Sequence, residues 1–209
     1  NPFLGWRSIR LSFEHPEFFL TQIRAILRSA AGGDASSARV QLMCPMIATY
    51  EEMRRVKNMV RRAQRSLDEE GKPFGHVPVG MMLEVPAAAV TIDTMLGIVD
   101  FVSIGSNDLV QYLMAADRDN PKVNHLCQPL SPPVIRVLHS VIRTCRKAGK
   151  PVTVCGEMAG SPSAFVLLFG MGLRSFSMSP SFVPSIKDLS SHLTSSEAER
   201  ILNRALGMK

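Results

Sequence analysis

DFVSIGSNDLVQYLMAADRDN, residues 100–120, is the stretch that decides the fold. Residues 99–106 form a short, mostly apolar run that reads as a buried strand. The run ends at a polar pair, Asn107–Asp108, and a short helix follows over residues 109–115. A strand that passes through polar residues straight into a helix is one βα unit.

The same order of events recurs on both sides. Residues 77–84 read as a strand ending in Glu84, with Pro86 starting a helix that runs to about Leu96. Upstream, residues 40–46 are another buried strand. Thr49 and Glu52 then form a capping-box pattern that opens a helix with Met53, Val56, Val60, Ala63 and Leu67 on one face. Pro16 sits at the first position of an earlier helix with the stripe Phe19, Ile23, Ile26, Leu27 and Ala30. GGDASS (32–37) breaks that helix, and GKPFG (71–75) is a turn. Downstream, Ser131 caps a long helix with Pro132 in its first turn and Gly149 past its end. Its core face is Val134, Leu138, Val141, Ile142 and Cys145. Residues 152–155 are a strand, residues 162–169 a helix stopped by Gly170, and residues 175–178 the last strand. Ser196 with Glu199 is expected to cap a final helix. About five strands thus alternate with helices. Continuous rather than alternating apolar strands indicate an α/β fold with a parallel sheet covered on both faces. No linker, low-complexity segment or short repeat interrupts it.

Composition narrows the function classes. The chain has 209 residues, 45% hydrophobic and 20% charged, ordinary for a globular protein. No run of eighteen apolar residues is present, so no membrane span is expected. The first ten residues, NPFLGWRSIR, lack the apolar core of a signal peptide and an initiator Met, so the chain is expected to begin inside a longer protein. The formal net charge is +6, but the basic residues are scattered as in MRRVKNMVRRAQR (53–65), the solvated face of a helix; nucleic acid is not the expected partner. Cys44, Cys127, Cys145 and Cys155 form no CxxC pair, which suits a reduced, cytoplasmic setting.

The residues that look chemical fall just after strands: Glu84, Asn107–Asp108 and Cys155–Glu157. In parallel α/β folds the loops at the carboxyl ends of the strands converge on one site. Glu84 and Asp108 end consecutive strands and could share a hard cation; Mg²⁺ takes a couple of carboxylates plus water and substrate oxygens. The competing reading is that Glu84 caps the helix after it. Arg7 and Arg118 suit phosphate by their planar, permanently charged forks, or serve as surface ion pairs. Asn107 could donate to a phosphate oxygen or hold its own turn. Cys155, before Gly156, could move a proton or be a small apolar plug. Cys44, Cys145 and the methionines read as core.

Seven segments together carry a family resemblance: NPFLGWRSIR (1–10), MCPMIATYEEM (43–53), MMLEVPAAA (81–89), residues 100–120, HLCQPLSPPVIRVL (125–138), VCGEMAG (154–160) and LLFGMGLRSFSMSP (167–180). In this order, and from Asn1 to about Ile186, the chain resembles the phosphoenolpyruvate-binding barrel of the enzyme I family of the bacterial sugar phosphotransferase system. SIGSNDLVQYLMAADRDN with CGEMAG is the most specific part. The resemblance implies a (β/α)8 TIM-type barrel, here its last five or so βα units. It implies a phosphoenolpyruvate–protein phosphotransferase that uses Mg²⁺ and works in the cytoplasm. Glu84 and Asp108 would be the metal carboxylates, and Arg7, Asn107 and Arg118 the residues holding the phosphoryl group. Cys155 would be the acid–base group that protonates the methylene carbon as pyruvate forms. The acceptor would be a histidine on a separate N-terminal domain, which passes the phosphoryl group to the carrier protein HPr.

No acceptor-histidine segment is present, and a complete barrel needs eight strands. Residues 1–209 are therefore expected to be the C-terminal part of the barrel domain, with three strands and one further phosphate-binding Arg upstream. The open sheet should expose edges and apolar surface, and family barrels dimerise, so a homodimer is expected. The nitrogen-related paralogue, the barrel of pyruvate phosphate dikinase or phosphoenolpyruvate synthase, and a module that only senses phosphoenolpyruvate or dimerises remain as alternatives.

Overall fold

A computed structural model describes residues 4–32 and 40–207. Among them, five strands form one sheet in the order β1-β2-β3-β4-β5, each parallel to its neighbour. The strands are β1 (Leu42–Cys44), β2 (Val79–Leu83), β3 (Val102–Gly105), β4 (Val152–Cys155) and β5 (Phe176–Ser177). Every run read as a strand is one; β4 keeps the bounds read for it and the other four are shorter at their ends. Strand order that simply follows chain order is how a (β/α) barrel winds; an open doubly wound sheet reverses at a switch point.

Ten α-helices surround the sheet among the described residues: α1 (Ile9–Glu14), α2 (Pro16–Ser29), α3 (Tyr50–Glu69), α4 (Pro86–Val90), α5 (Ile92–Met95), α6 (Ser106–Met114), α7 (Pro132–Lys147), α8 (Pro162–Gly170), α9 (Val183–His192) and α10 (Ser195–Leu206). α2 packs on α3, α3 on α5, α5 on α7, and α7 on α10, which also covers α8. In register across the sheet, Leu83, Ile104 and Val154 are fully buried. Each such aliphatic side chain contributes about 1.5–3 kcal/mol by leaving water. The opposite face carries Met82, Ser103 and Thr153 in register. It is more polar and less fully covered: Ser103 is buried, while Met82 and Thr153 are half-buried.

The capping box of α3 forms as read: Thr49 accepts from the Glu52 N–H and Glu52 from the Thr49 N–H. Met53, Val56, Val60, Ala63 and Leu67 are all buried, with Met59 beside them. The face expected of α7 is likewise buried. On α2, Phe19, Ile23 and Leu27 are buried with Leu20, while Ile26 and Ala30 pack only partly. Its breaker, GGDASS, begins at Gly32 and from residue 33 on lies outside the described residues, as do Asn1–Phe3 of the NPFLGWR segment.

Four local readings are corrected. The helix after Pro86 is interrupted at Thr91 and becomes α4 and α5. Helix α6 begins at Ser106, not after Asp108, so Asn107 and Asp108 sit in its first turn rather than in a loop. The last helix is capped by Thr194 with Glu197, not by Ser196 with Glu199; both pairs fit the S/T-x-x-E pattern, and the earlier one captures the chain. Ser131 occupies the cap position of α7 without a side-chain capping bond, its hydroxyl facing the Met114 sulfur at 3.7 Å. Helix α9 has no counterpart in the sequence reading; Ile186 is its one buried residue.

Candidate functional site

The carboxyl ends of β2, β3 and β4 lie side by side, and the residues that follow them meet there. Register pairs Leu83 with Ile104 and Gly105 with Cys155, so Glu84, Asn107–Asp108 and Cys155 emerge at one level. Glu84, Asn107, Asp108, Arg118 and Cys155 line a single cleft of about 210 Å³. An adjoining hollow of about 270 Å³ shares Ser106, Asn107 and Arg118 and extends to Cys127, Glu157 and Ser161. Arg7 arrives from before α1. Its Nη1 donates to Asp108 Oδ2 at 2.9 Å and to the Tyr112 hydroxyl at 3.3 Å. All six residues singled out from the sequence are therefore neighbours.

Glu84 and Asp108 are only 4% and 6% exposed. Glu84 does not cap the next helix; the cap position of α4 is Val85, with no side-chain bond. Instead Glu84 Oε1 accepts the Met46 N–H at 2.7 Å. Its other oxygen faces Gly105, where an added Cβ would come within 2.9 Å of Oε2. Burial pushes the Glu84 carboxyl up; the Met46 N–H opposes that, and the Asp108 carboxylate reinforces it. Among the described residues no hydrogen-bond donor reaches the buried Asp108 Oδ1; Arg118 Nη2 lies at 3.9 Å, an ion-pair distance but too long for a hydrogen bond.

A buried carboxylate oxygen lacking a donor, beside a second buried carboxylate, fits a hard divalent cation. No cluster of three or more His, Cys, Asp or Glu side chains suited to a metal occurs among the described residues. Two carboxylates with room for water and substrate oxygens match Mg²⁺ better than an all-protein Zn²⁺ cage.

Asn107 does not hold its own turn. Its Oδ1 accepts the Glu157 N–H at 3.1 Å, which leaves the amide NH₂ as its remaining donor. Cys155 is half-buried; its thiol donates toward the Ile104 carbonyl at 3.4 Å and accepts from the Ser103 hydroxyl at 3.6 Å. The Ser106 hydroxyl donates to the Cys155 carbonyl at 2.6 Å. Gly156 has φ of +93°, and a Cβ there would strike Ser106 and Asn107, so only glycine lets the segment after β4 pack this tightly on the first turn of α6. Arg118 is placed by Gln111, 3% exposed, whose Oε1 accepts the Arg118 N–H at 3.0 Å.

Tyr112, Met46, Ser103 and Gln111 support the site and were not found from the sequence. One signal for Tyr112 was available: on α6 it lies four residues after Asp108, one helical turn along the same face. Cys44 and Cys145 are core, as read: both are fully buried, and burial pushes their thiols up to about 12 and about 11.

Comparison with known proteins supplies a family. The family model described as "PEP-utilising enzyme, PEP-binding domain" matches residues 1–195. Curated proteins named phosphoenolpyruvate-protein phosphotransferase are 41% identical over 207 residues in Buchnera aphidicola and 43% over 209 residues in Bacillus subtilis. These alignments take in 99% and 100% of this chain but 35% and 36% of the relatives, so the chain spans about a third of their length. Among solved structures, a citrate lyase of Burkholderia xenovorans superposes with a TM-score of 0.57 at 19% identity, over 81% of this chain and 53% of that one. A pyruvate kinase of Cryptosporidium parvum gives 0.54 at 12% identity, over 83% and 36%. At such identities the likeness concerns the fold alone.

Proposed function

Because this chain belongs to the family of PEP-utilising enzymes with a PEP-binding domain, we propose that residues 1–209 are the C-terminal part of the phosphoenolpyruvate-binding barrel of a phosphoenolpyruvate–protein phosphotransferase. The observation that carries this reading is the pair of buried carboxylates, Glu84 and Asp108, on adjacent strand ends, with Asp108 Oδ1 lacking a donor and Arg7 and Arg118 beside it.

In this reading Glu84 and Asp108 hold Mg²⁺, whose positive charge, when bound, offsets the negative charge that develops as the phosphoryl group leaves. Arg7, Arg118 and the Asn107 amide NH₂ hold the phosphoryl oxygens. The bond between the enol oxygen and phosphorus breaks, the oxygen keeps the electron pair, and the phosphoryl group passes to a histidine nitrogen of an N-terminal domain in the parent protein. Cys155 then gives its thiol proton to the methylene carbon, completing pyruvate. The Ser103 hydroxyl, already directed at the sulfur, steadies the thiolate left behind. The phosphohistidine would next serve HPr at the start of sugar uptake, in the cytoplasm; no helix among the described residues is long and apolar enough to cross a membrane. Exposed Leu4, Trp6 and Phe18 near the N-terminal helices favour a homodimer.

Calorimetric titration of phosphoenolpyruvate into the chain, with and without Mg²⁺, tests the reading. Heat that requires Mg²⁺ and vanishes in Glu84→Ala is the expected result. Binding that is indifferent to both would remove Glu84 and Asp108 from the site.

A further inference from the structure

Met46 lies two residues beyond β1, just after Pro45, and brings no reactive group of its own. Its backbone has φ of +59°, the left-handed region that a non-glycine residue enters only under constraint. It is 2% exposed. Its N–H is engaged by Glu84 Oε1 at 2.7 Å. With the amide plane held there, φ decides where the side chain goes, and at this value the thioether reaches Tyr112, whose hydroxyl donates to the sulfur at 3.7 Å. The same hydroxyl accepts from Arg7 Nη1, and Arg7 Nη1 also donates to Asp108 Oδ2. The contacts run Glu84–Met46–Tyr112–Arg7–Asp108, so the two carboxylates are joined through Met46.

We propose that Met46 is a positioning residue, which holds Glu84 by its amide and Arg7 by its sulfur through Tyr112, and so sets the spacing of the carboxylates and the guanidinium together. The proposal rests on the preceding reading in taking Glu84 and Asp108 as the carboxylates of the cation site. The strained backbone is what one residue needs to reach both partners at once. A core methionine of purely space-filling role has no use for a left-handed φ.

Two substitutions isolate the link. Met46→Leu keeps the volume and the amide but removes the sulfur acceptor; Tyr112→Phe keeps the ring but removes the hydroxyl. Mn²⁺ binding to the 209-residue chain, read by electron paramagnetic resonance, should weaken roughly five-fold in each. The double variant should bind about as well as either single one, because both break one connection. Urea midpoints of the metal-free chain should show the same non-additivity. Losses of Mn²⁺ affinity that multiply, or a Met46→Leu variant that is less stable yet binds Mn²⁺ normally, would leave Met46 as core filler and overturn the proposal. If the unsubstituted chain binds no Mn²⁺, the cation reading fails for this chain and the positioning role of Met46 falls with it, whatever the midpoints show; loss confined to the variants is what separates the two failures.

Discussion

Asn107 and Glu157, fifty residues apart, are tied by a hydrogen bond from the Glu157 N–H to Asn107 Oδ1 at 3.1 Å. It joins the first turn of α6, which carries Asn107 and Asp108, to the segment that follows Cys155 at the end of β4. The bond also fixes which end of the amide is left to donate. Asn107→Asp keeps an acceptor for Glu157 but loses the NH₂ and adds a negative charge. Its urea midpoint should match the parent chain, while phosphoenolpyruvate affinity falls roughly 10- to 100-fold, the loss expected for a hydrogen bond to a charged group. Asn107→Ala should lose both affinity and about 1 kcal/mol of stability.

Gly105 supplies the space beside Glu84. In Gly105→Ala the new methyl would press on Glu84 Oε2 and on the Met82 side chain. Met82 can yield, but a buried carboxylate has less freedom. The chain should fold with a slightly lowered midpoint, and Mg²⁺-dependent heat of phosphoenolpyruvate binding should fall at least about ten-fold in affinity. An unchanged affinity would show that Glu84 Oε2 moves without consequence.

Ala115 ends α6 with φ of +51°. An L-residue in the left-handed region is disfavoured by about 1–2 kcal/mol, and glycine escapes most of that at some cost in unfolded-state entropy. Ala115→Gly should therefore stabilise the chain by about 0.5–1 kcal/mol, seen as a higher urea midpoint at unchanged slope.

Asp100, just before β3, pairs with Lys57 of α3 at 2.8 Å and accepts the Val79 N–H at 2.7 Å. Burial alone would push its carboxyl up; Lys57 and the Val79 N–H outweigh it and hold the group below the usual range. At neutral pH the carboxylate is ionised in both the folded and the unfolded chain, and its contribution is complete. As pH falls below about 3.9 the unfolded chain takes up the proton first, so the contribution drains away until pH passes the lower folded value. Asp100→Asn should be less stable than the parent at pH 7, and the gap should narrow by pH 3. Because the side chain is 44% exposed, solvent screening keeps the effect small.

The four thiols should react in two classes. Cys44 and Cys145 are fully buried, whereas Cys127 and Cys155 are half-buried at the two adjoining hollows; burial pushes the Cys44, Cys145 and Cys127 thiols up. Iodoacetamide at pH 8, followed by peptide mass spectrometry, should label Cys127 and Cys155 in the native chain and the other two only after unfolding. Labelling of Cys155 should slow when phosphoenolpyruvate and Mg²⁺ are present.

The strands and the long helices were legible because their signals are local and redundant. Five apolar runs each recur before a helix, and α3 announces itself through both Thr49–Glu52 and a buried stripe at helical spacing. Convergence of Glu84, Asp108 and Cys155 followed from one rule, that parallel strands gather their carboxyl ends. The failures are equally specific. Thr194 and Ser196 offered rival caps separated by two residues, and cap preference, which places Ser slightly ahead of Thr, favoured the one that is not used. The start of α6 at Ser106 depends on the chain turning directly out of Gly105, which the polarity of Asn107–Asp108 disguised as a loop. Met46 carried no sign at all, since its role lies in a backbone angle and a thioether contact with a residue 66 positions away.

Strand order that copies chain order gives the assembly a direction in time. On the ribosome each new βα unit can dock against the edge left by the one before, with nothing threaded between earlier strands. Arg7, Glu84 and Asp108 are all synthesised before β4 exists, so the charged half of the cleft can close first. The thiol of Cys155 is added to a polar frame already in place, and the cleft gains its full lining only once β4 has docked.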